Sequence, residues 1–62
     1  MNKHQPHLEL RRGLLFYHYA IVAANGQVML TSETYFSRAN ALRAIKETAS
    51  ALDLNWIEPE ET

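Results

Sequence analysis

Two stretches rich in β-branched and aromatic residues, Tyr17–Ala24 and Gln27–Glu33, flank the dipeptide Asn25-Gly26. Such composition favours strands. Asn-Gly between two strands predicts a hairpin, because a type I′ turn requires positive φ at both central residues. A two-residue loop then sets the register, with the expected pairs Ala23–Val28, Ile21–Leu30, Tyr19–Ser32 and His18–Glu33.

A second turn is predicted at Arg12-Gly13, ahead of these strands. A two-residue loop there would create the pairs Leu10–Leu15, Leu8–Tyr17 and His7–His18. Both registers place apolar side chains on one face of the sheet: Leu8, Leu10, Leu15, Tyr17, Tyr19, Ile21, Ala23, Val28 and Leu30. This agreement predicts a three-stranded antiparallel meander with strands near 7–12, 15–24 and 27–34. The other face is mixed, and its apolar members include Phe16, Ala20, Val22 and Met29.

Helical periodicity follows the predicted sheet. Apolar residues recur at three- and four-residue steps, at Ala41, Leu42, Ile45, Ala49 and Leu52, which predicts one helix near 37–52. Ser37 is a suitable N-cap. The fold class is therefore α+β, a β-β-β-α chain in which the helix covers the Leu/Tyr/Ile face of the sheet.

Trp56 and Ile57 follow the predicted helix, and Glu58-Pro59 comes after them. Exposing two such large apolar side chains to water is unfavourable. The segment therefore either packs back on its own domain or reaches a second chain. Because one helix already covers one face of the small sheet, we expect Trp56 and Ile57 to contact a partner copy.

Composition narrows the class of protein. The chain has 62 residues, 47% apolar residues, no cysteine and a net charge of -1. This length predicts one domain with a small core. The absence of cysteine excludes disulfides and zinc–thiolate sites. We expect a cytoplasmic protein without a membrane partner, since the sequence has no membrane span, no signal-peptide pattern at its start and no strong net charge. Residues 1–6 are expected to be flexible.

Charge is unevenly distributed. Residues 1–46 hold six bases and two acids, a net +4, whereas residues 47–62 hold five acids and no base, a net −5. Residues 53–62 are therefore expected to form an acidic C-terminal tail, either solvated or in contact with a basic surface on the same chain or a partner. The alternative function is nucleic-acid binding by a basic helix face of Arg38, Arg43 and Lys46, together with Arg11 and Arg12 at a turn. The balanced net charge argues against this alternative.

Three side chains warrant consideration as a metal site. In the predicted registers His7, His18 and Glu33 lie in one row across three strands, and two imidazoles with a carboxylate can bind zinc. The simpler interpretation, which we adopt, is a His18–Glu33 pair without a metal. We assign no catalytic residue, metal or cofactor, because His18 has no nucleophile beside it and both glycines are turn residues.

The stretch from Tyr17 to Leu52 resembles a repeat with the pattern Ala-x-Asn-Gly, then Ser-Glu-x-Tyr, then Ser-Lys-x-x-Ala and a helix with a central Ile. The matching positions are Tyr17, Tyr19, Ile21, Ala23, Asn25, Gly26, Ser32, Glu33, Tyr35, Ser37, Arg38, Ala41 and Ile45. This pattern is similar to that of the YegP-like family of small uncharacterised proteins. The sequence departs from it at Ala44, where the family often has Gly, and at His18, Ala20 and Val22, where it tends to have Arg or Lys.

The resemblance implies a three-stranded sheet with one helix, present either twice in a chain or once in a chain that dimerises, and no catalytic residue. We therefore expect one YegP-like domain over residues 1–62 that forms a homodimer through Phe16, Val22, Met29, Trp56 and Ile57. The expected function is a non-enzymatic protein-interaction or accessory module. Accessory subunits and phage- or mobile-element-encoded inhibitors are examples, and the sequence selects no pathway.

Overall fold

One helix lies against a four-stranded mixed sheet in the computed structural model, which describes residues 5–59. The elements in chain order are β1 (His7–Arg12), β2 (Tyr17–Val22), β3 (Val28–Thr31), α1 (Arg38–Leu52) and β4 (Asn55–Ile57). The strand order is β3-β2-β1-β4. The α+β class and the antiparallel β1-β2-β3 meander followed by one helix are confirmed, and β4 is an addition to them.

Helix α1 begins where its N-cap was predicted. The hydroxyl of Ser37 accepts a hydrogen bond from the backbone N–H of Asn40 at 3.1 Å, which satisfies one of the free donors of the first turn. At the other end Asp53 adopts a left-handed conformation, with φ 57° and ψ 44°. The backbone N–H of Leu54 then donates to the carbonyl of Ala49 at 2.9 Å and closes the helix.

The β2–β3 hairpin has a different turn from the predicted type I′. Gly26 has a φ of 90°, but Asn25 has no positive φ. The N–H of Gly26 donates to the carbonyl of Ala23, and the N–H of Ala23 donates to the carbonyl of Gln27, both at 2.8 Å. This is a three-residue loop, a type I turn followed by a glycine bulge. The predicted Ile21–Leu30 pair is present. Next to it a bulge shifts the register, so that Val28 pairs with Val22 and not with Ala23 as predicted.

The β1–β2 register differs from the prediction by four positions. His7 pairs with Val22, and Leu8 pairs with Ile21, so the two-residue loop at Arg12-Gly13 was wrong. The loop instead spans residues 13–16 and is closed by a hydrogen bond from the Gly13 N–H to the Phe16 carbonyl at 2.8 Å. Because four is an even number, the side chains of β1 kept their predicted face.

The core lies between α1 and the face of the sheet that carries Leu8 and Leu10, the helix side. Its buried members are Leu8, Leu10, Ala41, Ile45 and Ala49. The partly buried side chains packed against them are Tyr17, Tyr19, Ile21, Tyr35, Leu42, Leu54 and Trp56. Helix α1 contacts β1, β2 and β4 but not β3. Leu30, which was predicted on the covered face, is therefore exposed. The prediction also failed for Leu15, which lies in the β1–β2 loop, and for Val28, which the bulge pairs with Val22 on the face away from the helix.

Strand β4 explains what buries Trp56. It pairs in parallel with β1, and Trp56 lies beside Leu8, so its ring packs on the chain's own core. The argument that the single helix leaves a β-β-β-α unit little to bury this segment against was wrong for Trp56. Of the two alternatives left open by the sequence, the segment takes the first and packs back on its own domain.

Candidate interaction surfaces

The five residues predicted to form a dimer interface do not share one surface. Trp56 lies on the helix side of the sheet with the core, and strand alternation turns Ile57 to the opposite, outer face. Val22 is already buried within the chain, while Met29 is exposed. Phe16 lies in the β1–β2 loop, not in β2. A single symmetric patch therefore cannot contain all five, and their contact with a partner stays a prediction.

Strand β3 is an open edge of the sheet. All four of its residues are exposed, and Met29 and Leu30 retain 61% and 64% of their accessible surface. It contains no charged residue and no proline. Charged residues and proline are what commonly prevent an edge strand from pairing further. The opposite edge, β4, has only three residues and is followed by Glu58 and Pro59. The two edges are thus unequal, and β3 is the one suited to pairing.

A second apolar surface, the loop-tip cluster, lies at the end of the β1–β2 hairpin and consists of Leu14, Leu15, Phe16 and Phe36. Leu14 is 99% exposed, Leu15 75% and Phe36 76%. The Phe16 and Phe36 rings meet edge to face, with centroids 5.6 Å apart. These side chains, with Arg12, line an open groove of about 500 Å³. The sequence interpretation missed this cluster because it placed residues 15–16 in a strand; the run Leu-Leu-Phe directly after Arg-Arg-Gly was the available signal.

A row of charged side chains follows β1 on the outer face of the sheet. His7 Nε2 lies 2.9 Å from Glu9 Oε2, and Arg11 Nη2 lies 3.0 Å from Glu9 Oε1. The other ring nitrogen of His7, Nδ1, lies 2.7 Å from the carbonyl of Gln5. Both partners of the ring are acceptors, so both nitrogens donate when the imidazole is protonated. The row shields the apolar residues directly across from it, since His7 faces Val22 and Glu9 faces Ala20.

These bonds shift the pKa values of both ionisable partners. The bond to the Gln5 carbonyl and then the bond to Glu9 raise the pKa of His7 above its ordinary value, against a smaller opposing effect of burial. Burial by itself would raise the pKa of Glu9, but the hydrogen bonds from His7 and Arg11 outweigh it, and the pKa lies below its ordinary value. These hydrogen bonds therefore favour the charged form of both His7 and Glu9.

The considered metal row of His7, His18 and Glu33 is not assembled. His7 faces Val22 and His18 faces Arg11, while β3 ends at Thr31, before Glu33. The predicted His18–Glu33 pairing therefore does not occur within the paired strands. Residues 5–59 contain no group of three or more potential metal ligands.

The basic residues named for nucleic-acid binding come from two elements, the end of β1 and helix α1. Arg11 is bonded to Glu9 on the outer face, whereas Arg43 and Lys46 lie on α1. The guanidinium of Arg38 donates to both carboxylate oxygens of Glu58, from Nε at 3.0 Å and from Nη2. The bond from Arg38 lowers the pKa of Glu58. Glu58 thus takes one of the alternatives left open for the acidic segment, contact with a base of the same chain, while residues 60–62 of that segment lie outside the described residues. Two of the five cations are already paired.

Aromatic side chains join the sheet to α1 and to the segment that precedes it. Tyr17 and Tyr35 pair through their backbones, with N–H to carbonyl distances of 2.7 and 2.8 Å, and the ring of Tyr35 stacks on Tyr19 with centroids 6.5 Å apart. The hydroxyl of Tyr19 lies 2.6 Å from Thr48 Oγ1. Loss of hydration and then the neighbouring Tyr19 and Glu33 raise the pKa of Tyr35. These contacts fix the segment that carries Phe36.

With this geometry established, comparison with known proteins assigns the family. Residues 17–50, over half of the chain, match the family described as a domain of unknown function (DUF1508). The chain belongs to this family. It is the YegP-like family of small proteins that the Asn-Gly and Ser-Glu-x-Tyr elements had indicated. Comparisons with curated proteins and with solved structures give no significant match. Within residues 5–59, no helix has the length and apolar character needed to span a bilayer.

Proposed function

We propose that this member of the DUF1508 family is a homodimeric, non-enzymatic protein-interaction module whose two copies join through the free edge of β3. The observation that carries the proposal is the exposure of every residue of β3, including the apolar side chains of Val28, Met29 and Leu30. A strand of this kind presents unpaired N–H and C=O groups together with apolar side chains, which is the surface used in strand addition.

A second copy is the natural occupant of this edge. Two β3 strands related by a twofold axis would pair antiparallel, and each would present the same residues to the other. The sheets would continue across the seam as one sheet of eight strands. The bulge beside Val22 increases the local twist, so the shared ladder would be short. Apolar contact between the exposed side chains would then contribute most of the affinity.

Helix α1 supports this choice by its position. Because it does not contact β3, the side chain of Leu30 on the helix side stays exposed among residues 5–59. Pairing with a second β3 would bring a second Leu30 next to it. Burying apolar surface in this way stabilises a 62-residue domain, for which the hydrophobic core alone gives only a small margin.

Sedimentation equilibrium of the wild type and of Leu30→Glu tests the proposal. We expect a wild-type dimer at micromolar concentration and at least about a tenfold weaker association for Leu30→Glu, since it places two like charges at the seam. The matched control is Leu52→Glu, which changes another exposed leucine at the end of α1 and should leave the dimer intact.

Amide hydrogen exchange separates strand pairing from other modes of association. Pairing through β3 predicts that protection of amides within 28–31 increases with protein concentration. A folded wild-type monomer of about 7 kDa at these concentrations, or a dimer that Leu30→Glu leaves unchanged, would show the proposal to be wrong.

A further inference from the structure

We propose that the loop-tip cluster is a membrane-docking site that inserts its apolar side chains into the interfacial region of an anionic lipid surface. This inference is independent of the β3 dimer, because none of its residues belongs to β3. It rests on the protrusion of the loop, on the type of residue at its tip and on the charge beside it.

The shape of the loop is that of a protruding anchor. Leu14 is 99% exposed, so its side chain makes essentially no contact with the rest of the chain. Leu15 and the ring of Phe36 stand beside it with about three-quarters of their surface in water. The edge-to-face contact of Phe16 with Phe36 and the hydrogen bond from Gly13 to the Phe16 carbonyl hold this apolar tip in place. A pre-ordered tip loses little conformational freedom on binding.

The charge beside the tip matches an anionic surface. Arg11 and Arg12 directly precede the loop, and residues 10–32 contain no acidic residue. Two acidic side chains on this part of the molecule are already bonded to bases: Glu9 to His7 and Arg11, and Glu58 to Arg38. Glu58 also acts electrostatically on Arg12, without forming an ion pair with it. Arg12 is exposed and makes no ion pair with the described residues. Apolar side chains flanked by arginine favour anionic lipid headgroups, whose phosphates the arginine contacts while the apolar groups enter the acyl boundary.

The same charges disfavour a second copy as the occupant. A twofold contact through the loop tips would bring Arg12 of one chain close to Arg12 of the other, with no acidic residue of the loop to separate them. Like charges placed together at a seam oppose association. An anionic lipid surface instead gives the arginine and the apolar side chains favourable surroundings at once.

Co-sedimentation of the full chain with vesicles tests the proposal, with pure phosphatidylcholine compared with phosphatidylcholine containing about 30% phosphatidylserine. We expect binding to the anionic vesicles that weakens as salt is raised, because screening reduces the arginine contribution. The double variant Leu14→Ser/Leu15→Ser should lower the partition coefficient at least about tenfold. Its melting temperature should stay unchanged, since the altered side chains are exposed.

Matched variants separate the apolar from the electrostatic contribution. Leu52→Ser makes the same chemical change at an exposed leucine outside the loop and should bind as the wild type does. Arg12→Gln should weaken binding about fivefold, while Arg12→Lys, which keeps the charge, should retain most of it. Absence of wild-type binding to the anionic vesicles, or equal binding by the double leucine variant, would overturn the proposal. Conversion of a wild-type dimer into a monomer by that variant, without any vesicle binding, would identify a protein contact and also overturn it.

Discussion

His7 Nε2 lies 2.9 Å from Glu9 Oε2, two positions along the same strand and on the same face. The ring is only 4% exposed, and its second nitrogen is bonded to the carbonyl of Gln5. The elements beside it add no titratable group, since β2 places Val22 opposite His7 and β4 places Asn55 beside it. A protonated His7 therefore links the start of β1 to Glu9 through two charge-assisted hydrogen bonds.

The first prediction concerns the pH dependence of stability. The pKa of His7 is raised in the folded protein, so its contribution is fully present below the unfolded-state pKa and is lost as pH rises through the folded-state pKa. We expect the free energy of unfolding to fall by about 1 kcal/mol across that range. Denaturant unfolding at a series of pH values and NMR titration of the ring measure it.

Two variants check that assignment. His7→Gln should remove the pH-dependent loss, whereas His18→Gln, on β2, should leave it in place. A pKa of His7 measured by NMR that lies at or below the ordinary histidine value would contradict its hydrogen bonds to Gln5 and Glu9.

The second prediction concerns the end of α1. Asp53 has a φ of 57°, a conformation that glycine adopts without strain. Its carboxylate also lies at the negative end of the helix dipole. Asp53→Gly should therefore stabilise the protein by about 1 kcal/mol, or about 4–8 °C in melting temperature. Asp53→Asn removes only the charge and should give a smaller gain; a loss of stability in both variants would contradict the cap.

The third prediction tests the β2–β3 turn. Gly26 has a φ of 90°, so Gly26→Ala should cost about 1 kcal/mol or more. Gly13→Ala is the matched control, because its Cβ would lie at an ordinary contact distance of 3.7 Å from the Phe16 carbonyl oxygen and its φ is not left-handed. Thermal melts of the two variants should differ clearly. Equal melting temperatures would count against the three-residue loop.

The fourth prediction concerns Trp56. Its ring packs on the chain's own core, so Trp56→Ala should lower the free energy of unfolding by about 2 kcal/mol or more. Phe36→Ala removes an aromatic ring that is mostly exposed and should cost about 1 kcal/mol or less. Denaturant titrations compare them. The expectation that Trp56 and Ile57 also touch a partner is checked by the concentration dependence of the Trp56→Ala and Ile57→Ala melting temperatures.

The residues within one or two turns of backbone were sufficient to predict the helix and to locate the β2–β3 hairpin. The apolar steps from Ala41 to Leu52 and the Ser37 hydroxyl act within one or two turns of backbone, so their effect could be read from neighbouring positions. The observed helix, Arg38–Leu52, matches that prediction. The Asn25-Gly26 signal located the turn correctly, but glycine with a positive φ suits both a two-residue and a three-residue loop, so the dipeptide did not decide between them.

Alternation along the chain determined which face of each strand is apolar, and tertiary structure decided which partner each strand took. The four-position error in the β1–β2 register left Leu8 and Leu10 on the correct face because side chains alternate with a period of two. The loop of residues 13–16, and with it the exposed Leu14, followed from that register. The parallel pairing of β4 with β1 joins residues almost fifty positions apart, and no local pattern encodes it. The burial of Trp56 and the bond between Arg38 and Glu58 were decided in the same way, by the space and charge that the assembled sheet and helix left beside them.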